Sequence, residues 1–416
     1  MMKTAVEKIF SDKSGTDAKA GDYVIANLDY VMVNDITGPI AIDAFNELGY
    51  KPLSDKIVVI PDHFVPPKDI NSAMQYKKVK DFALKYNTHF YDIGNGGVCH
   101  QVMMEKGFAA PGRLIAGADS HTNTYGALSC ISVGIGSTEA GVIFGTGKMW
   151  FKVPETDLIR INGKPKPGVY GKDIILNVLS KIGNGGSAYK CMEFTGETVN
   201  YLDINERMTM ANMTTEAGAK CSFFNADSKT MAYLNNINYK MDYKIYMDDE
   251  NAEYSRIIDI DASEIEPSVA VPSSPDNVKP VSMVSERIDQ AYIGSCTNGR
   301  IEDIRKAANI LKNRKIDKNV RLMVVPASQE VYNQAVKEGL VDIITRAGGY
   351  FAGTTCGACL GGYMGVLGPN EVCISTTNRN FVGRMGDKTS RVYLANPEVV
   401  AASAILGRIA APEELQ

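Results

Sequence analysis

The chain has 416 residues, 44% hydrophobic and 22% charged, the balance of an ordinary globular protein. A single hydrophobic core stops growing near roughly 250–300 residues, so two or three domains are expected. Lys and Arg number 44 against 48 Asp and Glu, for a formal net charge of -4. That argues against a nucleic-acid or membrane-surface protein, which would normally show a basic face, but a few local arginines could still bind an anionic small molecule.

The start, MMKTAVEKIFSDKSG, reads as a short amphipathic helix with no apolar signal core. Short β-branched runs then alternate with helix-like stretches, the pattern of an α/β architecture. Strands are expected over 57–60, 114–116, 291–293, 320–325 and 372–375, and helices over 71–86, 171–182, 203–217, 301–311 and 328–338. The richest apolar stretch, 128–144, is cut by Ser, Thr, Gly and Glu139. No run approaches the ~20 residues of a spanning helix, so no membrane partner and a cytoplasmic location are expected. A soft boundary falls after Trp150. The segment 261–280 carries prolines 267, 272, 275 and 280 with Ser and Asp, a composition that reads as a linker unable to build a core strand. The expected domains are 1–152, 153–260 and 283–416, with 261–282 as linker. No repeat of 20–50 residues is visible.

Four apolar runs end in reactive clusters: Pro61-Asp62-His63, Asp119-Ser120-His121-Thr122, Cys296-Thr297-Asn298 and Asn378-Arg379-Asn380. Ligands of open α/β sheets bind at the carboxyl ends of strands, so these distant segments are expected to converge. Three of the four histidines, His63, His100 and His121, sit in Gly- and Asp-rich turns, and two have a carboxylate within two residues. A carboxylate fixes the imidazole tautomer and raises its basicity, as proton transfer or metal ligation requires. His89 has no such setting and reads as structural.

Eight cysteines are too few for a disulfide scaffold. Cys356-Gly357-Ala358-Cys359 presents two thiols that could share a metal, form a redox pair or simply be buried. A structural zinc site wants a second such pair, and only a lone Cys296 stands upstream. Three thiolates fit an iron–sulfur cluster with one iron left open. Cysteines 99, 130, 191, 221 and 373 read as core. The glycines 134, 136, 145 and 147 do not complete a phosphate-binding loop, because Val142 and Met149 occupy key positions; they read as packing positions. Arg379 and Arg384, five apart in a loop, offer planar forks for carboxylates.

Together PDHFVP (61–66), GGVCHQV (96–102), GADSHTNTYGA (117–127), GSCTNGRIEDI (294–304), TTCGACLGG (354–362) and NRNFVGR (378–384) occur in the order of a known family. The chain resembles, over essentially its whole length, the aconitase superfamily, in the branch of 3-isopropylmalate dehydratase and homoaconitase large subunits. The resemblance implies three entwined α/β domains without the swivelling fourth domain. It implies one 4Fe–4S cluster on Cys296, Cys356 and Cys359, with one iron not bound by cysteine. It implies the catalytic pairs Asp62 with His63, Asp119 with His100, and Glu216 with His121. Ser120, Asn212, Asn378, Arg379 and Arg384 are implied to bind substrate. The implied activity is a hydro-lyase acting on a small hydroxy di- or tricarboxylate, best matched by 3-isopropylmalate isomerisation in leucine biosynthesis, with homoaconitate, dimethylmalate or citramalate chemistry as alternatives. A separate small subunit would supply the swivelling domain, since only 32 residues follow Arg384 (416 − 384). One departure is Phe108, where branch members often carry His. Readings from other classes are an RNA-binding iron sensor, which the acidic balance opposes, and a zinc or thiol hydrolase, which lacks a fourth ligand.

Overall fold

The computed structural model describes residues 2–415. Three sheets organise them. The first has five strands in the order His89–Phe90, Ile57–Val59, Tyr30–Val33, Leu114–Gly117 and Ile131–Gly134, all paired in parallel. Ile57–Val59, Tyr30–Val33 and Leu114–Gly117 are buried along their whole length, as strands covered by helices on both faces must be. The second sheet is the parallel set Cys221–Phe224, Cys191–Thr195, Thr156–Asn162 and Arg256–Asp261. The third has seven strands and a parallel centre formed by Arg391–Leu394, Val372–Ser375, Gln290–Ile293 and Arg321–Val324. An antiparallel ribbon of Tyr23–Asn27 and Lys148–Lys152 lies beside the first sheet's elements. Ile60, Met208, Tyr292 and Val325 belong to one continuous buried core, which joins residues from all three units.

The segment 261–282 is more structured than its composition suggested. Ser268–Ala270 and Val278–Pro280 pair antiparallel and join the third sheet beside Arg391–Leu394. The expectation that it could not build a core strand is thus corrected: Val269 and Ala270 are fully buried. Three-residue strands fit between the prolines, and Pro280 stands on the outermost strand, where its missing N–H breaks no ladder.

Helix ends follow their caps. Asp69 accepts from Ser72 N and starts Ile70–Tyr86, and Asn87, at φ 52°, ends it. The run read as one helix over 203–217 is two elements. Asp203 caps Ile204–Met213, and Thr214 then turns its hydroxyl back to Ala211 O at 2.7 Å, opening a 3-10 turn, Thr214–Ala217. Such back-bonding competes with helix continuation, and here it carries Glu216 to the site. The glycines read as packing positions behave so: a Cβ on Gly145 would meet Tyr50 Cβ at 2.6 Å.

The first and third units are pinned together next to the site. Gly97 forms an antiparallel bridge with Ser328, and Val98 N donates to Ala327 O at 2.8 Å. Gly97 has φ 157°, and a Cβ there would lie 2.4 Å from Ser328 Cα, so only glycine permits this approach. Among the described residues, no helix is long and apolar enough to cross a membrane.

Candidate active site

The four reactive clusters do converge. A crevice of about 290 Å³ is lined by Asp62, His63, Cys99, His100, Asp119, Ser120, His121, Cys296, Cys356, Cys359, Asn378, Arg379 and Arg384, with Ile36, Val98 and Leu360. Ile57–Val59 and Leu114–Gly117 deliver the first two clusters from one sheet, and Gln290–Ile293 and Val372–Ser375 deliver the other two from another. Each is a parallel strand emptying at its carboxyl end, which is where open α/β sheets place ligands.

Each of the three histidines meets a carboxylate. His63 Nδ1 lies 2.6 Å from Asp62 Oδ1, and its Nε2 is 3.5 Å from Asp119 Oδ2. Burial works against charge on His63, yet Asp62 first, then Asp119 and Asp35, carry it up to about 10. His100 Nε2 lies 2.8 Å from Asp119 Oδ1, while its Nδ1 meets the Tyr125 hydroxyl at 3.0 Å. His121 Nε2 lies 3.1 Å from Glu216 Oε1. Asp119 also accepts from His121 N at 2.9 Å. Despite burial, the charge and hydrogen bonds of these imidazoles hold Asp119 well below the usual carboxylate range. Glu216 is likewise held down against burial by His121 and Arg379.

Arg379 is already engaged. Its Nε donates to both Glu216 oxygens, at 2.8 and 3.1 Å, and its Nη1 to Ser120 Oγ at 3.2 Å. Arg384 differs: its buried Nε has no hydrogen-bond partner, so a donor is left for an incoming acceptor.

The three cysteines line the same wall, and all are buried. Asn212 Nδ2 donates to Cys296 Sγ at 3.1 Å and Asn378 Nδ2 does so at 3.4 Å, while the Cys359 thiol donates to Asn378 Oδ1 at 3.6 Å. Burial, then the neighbouring Cys359, pushes the Cys296 thiol up to about 12. The hydrogen bond from Cys356 overcomes burial at Cys359 and brings it down, with help from Arg384 and His121. Asn212 was expected at the substrate. It does not line the crevice; it is fully buried and holds Cys296 and Thr124 instead. Asn378 reaches both the crevice and the sulfurs.

Among the described residues, the trio of ligand atoms lying within 4.8 Å of one another is Asp35, Asp62 and His63. Asp35 is committed elsewhere, however. Its oxygens accept from the backbone N–H groups of Asp62, His63 and Phe64 at 2.9, 2.9 and 2.8 Å, so it is a clamp on the turn. Cys296, Cys356 and Cys359 instead share one crevice wall, and three thiolates together suit an iron–sulfur cluster.

Sequence reading missed Asp35, although its strand, Tyr30–Val33, also ends in polar residues, Asn34-Asp35. It missed Tyr125 and Arg300 too. Arg300 is buried and donates to Cys296 O at 2.7 Å and Thr297 O at 2.6 Å, which fixes the cysteine loop. Cys99, read as core, is buried but lines the crevice, and its N–H donates to Asp62 Oδ2 at 2.7 Å. His89 bonds Asp55 O at 3.1 Å away from the crevice. Phe108 packs edge-on against Tyr30, His89 and Tyr91, so it fills core and touches nothing in the crevice.

Known proteins match this chain. The model of the aconitase family (aconitate hydratase) matches residues 7–407. A protein of Picrophilus torridus named 3-isopropylmalate dehydratase large subunit is 90% identical, with 100% of each chain covered. Proteins of the same name from Moorella thermoacetica and Halothermothrix orenii are 50% and 49% identical, again with 100% of both chains covered. The crystal structure of Thermococcus kodakaraensis aconitase X in its holo-form superposes with a TM-score of 0.51 at 14% identity, covering 90% of this chain and 89% of that one, a likeness of fold. The crevice, its sulfurs and its paired histidines thus sit in a chain that belongs to the aconitase family.

Proposed function

We propose that this chain is the large, catalytic subunit of an iron–sulfur hydro-lyase that interconverts 3-isopropylmalate and 2-isopropylmalate through isopropylmaleate, a step of leucine biosynthesis. The observation that carries the reading is the meeting of three cysteine sulfurs, three histidine–carboxylate pairs and two arginines in one crevice. The full-length relative at 90% identity supports the choice of substrate. The aconitase family implies a 4Fe–4S cluster, and the residues fit one: Cys296, Cys356 and Cys359 would hold it, leaving one iron without a cysteine. When bound, that iron supplies a Lewis acid that polarises the substrate's hydroxyl and carboxylate and makes hydroxide a feasible leaving group.

The chain's own groups do the rest. His63, held protonated at neutral pH by Asp62, has its Nε2 toward Asp119 and the crevice; it gives a proton to the departing hydroxyl and recovers it on rehydration. Asp119 keeps His63, His100 and His121 in register by touching all three. Arg384 takes a substrate carboxylate on its unpartnered Nε, and Arg379, tied down by Glu216 and Ser120, presents its remaining donors to the other carboxylate. The base that removes the carbon-bound proton and the reader of the isopropyl group come from a separate small subunit.

The test is anaerobic purification followed by metal and sulfide analysis, and assay with the candidate small subunit. Iron, sulfide and turnover of 3-isopropylmalate are expected. Stoichiometric zinc, or turnover restricted to a different hydroxy acid, would overturn the reading.

A further inference from the structure

Lys172 is the second residue of the helix Gly171–Ile182, and its side chain is buried, with 1% exposure. Both circumstances oppose its charge. An ammonium is costly to remove from water without a partner, and the first turn of a helix presents the positive end of the peptide dipoles. Among the described residues it makes no ion pair with a carboxylate. Instead Nζ donates to two backbone carbonyls from another unit, Thr376 O at 2.9 Å and Thr377 O at 2.6 Å. These carbonyls follow the strand Val372–Ser375 and immediately precede Asn378 and Arg379.

Burial pulls the Lys172 ammonium down to about 7, against the raising influence of Cys359, Asp303, Asp173 and Cys296. The carboxylates are occupied. Asp173 accepts from Ser268 N, Tyr170 N and Asn396, and Asp303 from Asn298 and Arg300 N.

The geometry points to Lys172 as a positioning residue: its Nζ, clamped on the Thr376 and Thr377 carbonyls, sets the aim of Asn378 and Arg379. The effect passes through two contacts already described. Asn378 holds Cys296 Sγ, and Arg379 holds Glu216 and Ser120. The identity of what the sulfurs carry rests on the proposed function; the grip on the backbone does not.

Two measurements separate these. In the chain without cluster, hydrogen exchange over residues 376–384 should quicken roughly tenfold in Lys172→Met, as expected when a charge-assisted hydrogen bond is lost, and stay near wild type in Lys172→Arg. In the holoenzyme with its small subunit, Lys172→Met should raise KM roughly tenfold and change kcat less, because Arg379 loses its aim. Lys172→Arg should restore both. If the Met variant does not fold, Lys172→Gln, one bond too short to span both carbonyls, replaces it in the exchange measurement. Unchanged exchange in Lys172→Met overturns the grip. A wild-type chain that binds no iron would defeat the proposed function, and the exchange measurement would still decide the grip.

Discussion

His63 keeps its proton because three carboxylates surround it, Asp62 above all. An acid whose value is raised to about 10 is charged throughout the neutral range and is lost only as pH climbs through that value. Asp62→Asn removes the largest raising influence. We expect kcat to fall by ~10²–10⁴ and the alkaline limb of kcat/KM to move from near 10 toward neutrality. A limb that stays in place would show that His63 is not the acid. The cysteines divide in the same concrete way. Cys356→Ser should abolish cluster content and activity, whereas Cys130→Ser, altering a thiol buried against Tyr125 O, should leave iron and sulfide unchanged; a full cluster in Cys356→Ser would sink the assignment. These residues were legible because chemistry gathers at strand ends, where a short polar run follows an apolar one. Their pairings were not legible from spacing. His121 and Glu216 lie 95 residues apart, and only the family resemblance joined them. Asp35 and Arg300 escaped notice because they act through backbone N–H and carbonyl groups, which leave no mark on residue type.

Glu105 closes the helix that carries His100 and ties it to the third unit. Its Oε2 accepts from Ser328 Oγ at 2.8 Å and Gln101 Nε2 at 3.2 Å, and its Oε1 is buried without a partner. Burial raises its value to about 7. In the unfolded chain the carboxyl ionises near the ordinary 4.5, so the folded state loses ground as pH rises from there to about 7, and the deficit is constant above. Glu105→Gln removes the deficit. The variant should melt higher than wild type at pH 8, by up to about 3 kcal/mol in stability, with the gap closing toward pH 4.5; parallel melting curves at both pH values would contradict it. Most elements were legible because their patterns are local. The helices 171–182 and 301–311 were read with the ends the structure gives them. The misreadings arose where a tertiary contact outweighed composition. Proline-rich 261–282 becomes sheet because Arg391–Leu394 offers it an edge, and 203–217 breaks at Thr214 because a hydroxyl replaces the helical bond.

Several exposed apolar side chains stand close in sequence to residues that line the crevice. Val382, between Arg379 and Arg384, is 64% exposed, and Val366, beyond the Cys359 turn, is 46% exposed. Ile70 and Met74, one turn apart on the helix that follows the Asp62-His63 loop, are 80% and 65% exposed. Exposed apolar groups that rim a polar cleft mark a surface that another chain covers. The chemistry calls for the same cover. Arg379 spends its Nε on Glu216, and the carboxylates in the crevice are bound to histidines or held below their usual range, so none is poised to take a proton from carbon. The small subunit proposed above would bring both the lid and the base. Val382→Asp would bury a charge in that contact, and we expect it to weaken association at least about tenfold, a loss of about 1.4 kcal/mol or more, while leaving iron and sulfide intact. Titration of the cluster-loaded chain with the small subunit, followed by turnover, gives the apparent Kd directly. If the variant associates as tightly as wild type, the apolar rim is not the docking face. If the cluster-loaded chain turns over 3-isopropylmalate fully without any partner, the missing base lies within these 416 residues.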